Sequence, residues 1–431
     1  MSNEKMEAWL AETIATDAAS PARQLLVKLF DLGTFVETDR LLAAGVVTGY
    51  GCVEGAPVYA YAQDHDVCCG AVGKAQADKI RALYNLAAAN GSPVVAVFDS
   101  DGAKLGEGVD AMNALSEILT AATRMSGVVP MIAAINGACV GSATMIASAC
   151  DVVIKREDAD YYLNPGDKQA SADIVVADED ALLDAVHQVL SYLPANNLET
   201  TPIYEFNEPS VLPTETADAA TAIADADDLL ELSIGGDCKA AFARIGGRAV
   251  GMLTLCGDKL GREAAAAARF IRLCDSFSLP VVTFVDAAAF GCVKCASKLS
   301  TAYCEATVAK VTVITGKAYG SVYVAAAGKE AGIDAVLAWP NACISALAPE
   351  AAVCIFRKEE LAAMTDPATQ REQIIAAYAA EECSPKAAAE NGWLTDVITP
   401  AETRSKVFAL LGMLENKRVS TMPKKHVNIQ L

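Results

Sequence analysis

The sequence predicts an α/β protein made of two tandem copies of one fold, related by internal duplication. Three recurrences carry that expectation. The first is PMIAAINGACVGSA (130–143) against AKVTVITGKAYGSV (309–322). Each has an apolar run, a glycine (Gly137, Gly316), three residues, then Gly-Ser (Gly141-Ser142, Gly320-Ser321) opening an alanine-rich helical stretch. The second is VVTGYGCVEGAPVYAYAQD (46–64) against AAFARIGGRAVGMLTLCGD (240–258), both hairpins turning at glycine. The third is SPVVAVFDSDG (92–102) against LPVVTFVDAAA (279–289), a proline-led buried strand ending in Asp99 or Asp286. The three pairs lie 179, 194 and 187 residues apart in that order, which fits a duplicated fold of about 180–190 residues.

Element by element, each copy runs hairpin, helix (near 74–90 and 261–277), buried strand, helix, strand, glycine turn and short helix. Strands that are apolar throughout point to a sheet covered on both faces. The predicted boundaries are 1–195 for the first domain and 231–431 for the second. The polar, acidic, proline-containing stretch 196–230 is read as a linker. From about 367 the chain reads as helical, ending in the basic tail MPKKHVNIQL.

Composition narrows the function. In 431 residues, 34 basic side chains face 54 acidic ones, a net charge of −20. Nucleic acid is not an expected partner, because phosphate neutralisation needs a basic face. Met125–Cys150 carries no charge, but Pro130, Asn136, Gly137, Gly141 and Ser142 break it into strand, turn and helix rather than a membrane span. Fourteen cysteines and no signal-peptide core in MSNEKMEAWLAETIATD point to a reducing cytoplasm.

The glycine turn is the leading chemical feature. A strand breaking at glycine into a helix aims backbone N–H groups, at the positive end of the helix dipole, into one small space. Such a space suits a phosphate, or a thioester oxygen as it becomes an enolate. Two copies mean two such holes, or one hole and a decayed relic. Other groups take bland readings beside functional ones. Lys74 and Lys79 are candidates to neutralise the phosphates of a ligand, or solvated helix residues. Cys292-x-x-Cys295 is a metal or redox candidate against small-residue packing, and with no second CxxC or nearby His no metal site is predicted. Cys68-Cys69 reads as a strand-end pair. Of three histidines, His65 is an acid–base candidate or a solvated loop residue, and His187 a packing residue. Glu107 and Asp110 are helix-start acids, Glu107 being the better seat for a general base. Tyr319 and Tyr323 flank the second turn at i, i+4.

Taken in order, LFDLGTFVE (29–37), VVTGYG (46–51), FDSDGAKLGEGVDAM (98–112), NGACVGSA (136–143), SYLPANN (191–197), ARFIRLCDSFSLPVVTFVD (268–286), ATVAKVTVITGKAYGSVY (306–323), AWPNACI (338–344), NGWLTDVITPAETR (391–404) and KKHVNI (424–429) resemble the carboxyltransferase subunit of biotin-dependent acyl-CoA carboxylases and decarboxylases, the propionyl-CoA carboxylase β-subunit type. The resemblance implies two crotonase-like (ClpP/crotonase) domains, with self-association as a dimer or a ring of six. It implies an acyl-CoA on the first domain and, on a neighbour's second domain, biotin carried by a separate protein. The first oxyanion hole would use the N–H groups of Gly141 and Ser142, the second those of Ser321 and Val322. Gly137 and Ala138 would line the CoA side; Ala289, Phe290, Gly291, Gly320 and Tyr323 the biotin side. Implied partners are the biotin carboxyl carrier and a biotin carboxylase or decarboxylase subunit, with a membrane reached only through a decarboxylase partner.

The chain departs from that pattern in places. Asp101-Gly102-Ala103-Lys104 stands where the family has paired glycines and an arginine, and a lysine lacks the planar fork. Ala288-Ala289-Phe290-Gly291-Cys292 replaces a Pro-Gly-Phe loop and is expected to change the backbone path. Val322 is expected to crowd its hole, and Val324 marks an apolar acyl-pocket position. Two alternatives follow: an acyl-CoA-binding scaffold without turnover, or a crotonase-type hydratase or decarboxylase.

Overall fold

The computed structural model describes residues 5–6, 19–42, 44–362, 367–420 and 422–424. They form two compact units, Met1–Thr201 and Pro202–Leu431, each with its own sheet. The expected duplication is present.

In the first unit, β1 (Val36–Thr38), β2 (Val46–Val53) and β3 (Ala56–Gln63) are antiparallel. The β2–β3 turn has Glu54 and Gly55 at φ 51° and 78°, the positive pair a two-residue hairpin needs. From β3 the sheet continues in parallel through β4 (Val94–Ser100), β5 (Met131–Val140) and β6 (Val152–Arg156). The short β7 (Asp160–Tyr162) runs beside the far end of β5, and β8 (Ile174–Val176) pairs with β6. Helices Lys74–Asn90 and Val109–Met125 are the crossovers, the former stopped by Gly91 in the left-handed region. Val94–Phe98 and Met131–Ile135 are almost wholly buried, as parallel strands covered on both faces should be.

The second unit repeats the scheme. β9 (Leu229–Ser233), β10 (Lys239–Ile245) and β11 (Arg248–Gly257) are antiparallel, with Gly246 and Gly247 at φ 63° and 77° in the hairpin turn. Parallel β12 (Val281–Ala287), β13 (Lys310–Tyr319) and β14 (Ala335–Ala338) follow; β15 (Cys343–Ser345) runs beside the end of β13 and β16 (Asp396–Val397) beside β14.

Two expectations are corrected. The stretch 196–230 is not a linker along its length: Ala219, Ala220 and Ile223 join the second core. Asp225, 3% exposed, accepts the N–H groups of Gly246 and Gly247 at 2.9 and 2.7 Å and pairs with Arg404 at 2.6 Å. A carboxylate so held fastens the acidic stretch to the hairpin. Cys68-Cys69 is not a strand end but part of a short 3₁₀ turn, with Cys68 and Cys69 at φ 52° and 54°. Among the described residues no helix is long and apolar enough to cross a membrane, and Met125–Cys150 resolves into helix end, β5 and helix Ala143–Ser148. The tail from 425, with His426, lies outside the described residues.

Candidate functional site

The first glycine of each repeated pattern is dictated by a carboxylate beneath it. The pairing of β4 with β5 shifts register between Phe98 and Ser100, and that of β12 with β13 between Val285 and Ala287; there Asp99 and Asp286 each stand opposite three residues of the neighbouring strand. Asp99 Oδ1 accepts the Ala138 N–H at 3.0 Å; Asp286 Oδ1 accepts the Lys317 N–H at 2.9 Å. A Cβ on Gly137 would lie 2.2 Å from Asp99 Oδ1, and one on Gly316 would lie 2.3 Å from Asp286. Only glycine leaves room for this clamp. Thr216 Oγ1 reaches the other oxygen of Asp286 at 3.3 Å.

The second glycine sets the turn. Gly141 and Gly320 have φ 63° and 45°, a region costly for other residues. The expectation that Gly141 supplies an open N–H is corrected: it donates to the Tyr162 carbonyl at 3.1 Å, as Gly320 N–H donates to Ser345 at 2.9 Å. β7 and β15, parallel to the ends of β5 and β13, place their last carbonyls where those amides emerge. The next amides, of Ser142 and of Ser321 and Val322, have no protein partner among the described residues. Val322 is fully buried, whereas Val324, the expected acyl-pocket position, is 68% exposed.

A third strand-end segment borders each turn. Val72 N–H donates to Gly102 O at 2.8 Å and Lys104 N–H to Val72 O at 2.9 Å. This one-residue parallel bridge turns the Ala103 N–H between them away from Val72. In the second unit Leu260 N–H donates to Ala289 O at 2.8 Å and Gly291 N–H to Leu260 O at 2.6 Å, leaving Phe290 in the place of Ala103. The 288–292 segment thus has the same bridge as its counterpart in the first unit. Around the first turn, Cys68, Ala71, Asp101–Leu105, Gly141 and Ser142 line a pocket of about 510 Å³. Its free amides at Ser142 and Ala103 give two main-chain donors in a space with room for a ligand oxygen. Ala103 was missed, and Phe290 was expected only as a residue lining the biotin side, because nothing in a side chain marks a backbone donor; pairing 102–104 with 289–291 across the repeat would have found both amides.

The charged candidates are mostly spoken for. Lys79 is not a phosphate ligand: it is 2% exposed and its Nζ donates to Val46 O at 2.7 Å. Lys74 Nζ pairs with Asp78 at 2.8 Å and Glu117 at 3.1 Å, which raises its pKa. Glu107 accepts the Lys74 N–H at 2.8 Å and pairs with Lys104 at 3.1 Å, and these donors hold its carboxyl below the usual range. A hydratase base needs the opposite shift. Glu107 instead caps the helix Lys74–Asn90. His187 Nε2 bonds the Leu29 carbonyl at 2.7 Å. His65, Cys69 and Asp101, all exposed, bring ligand atoms within 4.8 Å of one another at the pocket rim. Burial pushes the Tyr319 and Tyr323 hydroxyls up, so both remain protonated donors beside the second turn.

This geometry accords with the likenesses to known proteins. The family profile described as carboxyl transferase domain matches residues 5–164 and 167–429. The methylmalonyl-CoA decarboxylase α-subunit of Propionigenium modestum is 33% identical, the match covering 95% of this chain and 93% of that protein. The carboxyltransferase subunit of propionyl-CoA carboxylase from Haloferax mediterranei is equally similar, at 33% over the same shares. Among solved structures, a hexameric transcarboxylase 12S with hydrolysed methylmalonyl-CoA bound superposes with a TM-score of 0.90 at 30% identity, over 100% of this chain and 99% of that one. With the clamped glycine turns on two repeated sheets, these likenesses place the chain in the carboxyl transferase family.

Proposed function

We propose that the chain is the carboxyltransferase component of a biotin-dependent acyl-CoA system, moving a carboxyl group between carrier-borne biotin and a short-chain acyl-CoA. The observation that carries this reading is the pair of turns with unpartnered main-chain amides, one per unit. Biotin supplies a ureido nitrogen that holds and releases the carboxyl group. The amides of Ser142 and Ala103 would receive the thioester oxygen as negative charge develops on it, and those of Ser321 and Val322 the ureido oxygen. Main-chain donors fixed by a strand end and a helix start need no reorganisation at the moment of reaction.

Both groups fit the residues present. The first pocket has open space over Gly141, where an added Cβ would meet nothing within 4 Å. At the second turn Ser321 is exposed and its amide has no protein partner among the described residues. The carrier and its carboxylase or decarboxylase are partners on other chains, and the protein self-associates as a dimer or hexamer. The test is carboxyl exchange by the purified chain between labelled methylmalonyl-, malonyl- or glutaconyl-CoA and a biotinylated carrier. Label on biotin with at least one donor supports the reading. CoA binding without exchange across the panel replaces it with a scaffold.

A further inference from the structure

The segment beyond the Phe290 bridge carries a thiol pair that carboxyl transfer does not use. Cys292 is the N-cap of the helix Val293–Glu305, in extended conformation, and Cys295 follows in the first turn. Cys292 Sγ accepts the Cys295 N–H at 3.3 Å and the Cys295 thiol at 2.8 Å. The two sulfurs differ in setting. Cys292 is half-buried; Cys295 is 8% exposed beneath it. The Cys295 thiol and N–H, with the Lys294 N–H and charge, hold Cys292 below the ordinary thiol range. Donating to that sulfur raises Cys295. Elsewhere burial pushes Cys238 up to about 11 and Cys139 and Cys274 higher still.

An accessible sulfur at a helix N-terminus, with a second thiol below it, is the division of labour thiol–disulfide exchange requires. We propose that Cys292 and Cys295 form a reversible dithiol–disulfide couple that reacts with small-molecule disulfides, Cys292 attacking and Cys295 resolving. In the first step the Cys292 thiolate attacks one sulfur of the disulfide RSSR; a Cys292–SR bond forms and RS⁻ leaves. In the second, Cys295 gives its proton to solvent and attacks Cys292 Sγ, expelling the second RS⁻. Two cysteines lose two electrons and one RSSR becomes two thiols; excess thiol reverses both steps. The closed bond ties the helix cap to its first turn directly after Ala289–Gly291. The inference stands apart from the carboxyl-transfer reading, since its readout is covalent state.

The test mixes the reduced full-length chain with oxidised glutathione, quenches with acid at timed intervals, alkylates, and reads each cysteine peptide by mass spectrometry. Wild type should yield the Cys292–Cys295 disulfide, with Cys292 consumed roughly tenfold faster than the exposed Cys304 and Cys354. Cys295→Ser should trap glutathione on Cys292, and Cys292→Ser, which keeps a good N-cap, should leave Cys295 unreacted. Consumption of Cys292 no faster than Cys304, or a lasting glutathione adduct in wild type, overturns the proposal. The wild-type time course alone suffices if a variant fails to fold.

Discussion

At the first turn a Cβ placed on Gly141 would meet no atom within 4 Å; at the second, one on Gly320 would come within 2.9 Å of the Ala346 carbonyl oxygen. Beneath both turns, by contrast, the clamp is the same to within a few tenths of an ångström: Asp99 on Ala138 N–H at 3.0 Å, Asp286 on Lys317 N–H at 2.9 Å. The two copies have kept the part that aims the amides and diverged in the part that borders the ligand. The first rim carries Cys68, Asp101, Lys104 and Leu105 around open space. The second carries Tyr319, Tyr323 and Phe290 with a tighter turn.

The comparison is tested most severely by removing the amides themselves. Ser142 has φ −66°, which a proline ring matches, and its N–H has no protein partner. Ser142→Pro should therefore fold while lowering kcat for carboxyl exchange about 10²–10³-fold. Ser321→Pro, at the first residue of its helix where proline is well tolerated, should cost as much. Ser142→Ala, which keeps the amide, should stay close to wild type. Equal activity of the proline and alanine variants would sink the amide assignment.

Next in size is the clamp. Gly137→Ala and Gly316→Ala should each destabilise the protein by about 1–3 kcal/mol through overpacking against the carboxylate. Denaturant unfolding would read this, and equal losses would confirm that the two frames are equivalent. The turn glycines should then separate. Gly141→Ala should cost about 1–2 kcal/mol for its left-handed φ, and Gly320→Ala more, because Ala346 O adds a clash. The buried Lys79 offers a further contrast: Lys79→Met should cost about 1–3 kcal/mol of stability through the unpaired Val46 carbonyl without changing the KM for acyl-CoA.

The smallest effect concerns Glu107. Its carboxyl is lowered in the folded state, so its contribution is complete above the unfolded value near 4.5 and disappears as pH falls through the folded value. Glu107→Gln should flatten the acid limb of a stability–pH curve slightly and leave exchange at neutral pH unchanged. A large loss of exchange would instead give Glu107 a part in the transfer reaction.

Much of the frame was legible because it rests on local rules. Proline-led apolar runs gave β4 and β12, turn glycines gave the hairpins, and the repeat placed both glycine turns. What sequence reading missed depends on groups distant along the chain. Gly141 commits its N–H to Tyr162, Lys74 and Lys79 direct their ammonium groups to Asp78, Glu117 and a buried carbonyl, and Glu107 is recruited to a helix start 33 residues away. The acidic stretch looked like a linker because acidic composition usually signals solvent. Asp225 shows that a carboxylate with two amides and an arginine can be interior instead.

The aspartate wedged under each glycine has an evolutionary corollary. On the proposed assignment the charge-stabilising atoms belong to the peptide chain and are steered from below, so the border residues carry no duty toward them. A lineage can swap those borders, shorten neighbouring loops and explore new acyl groups while inheriting its electrostatics intact, and a duplicated gene can do so twice independently.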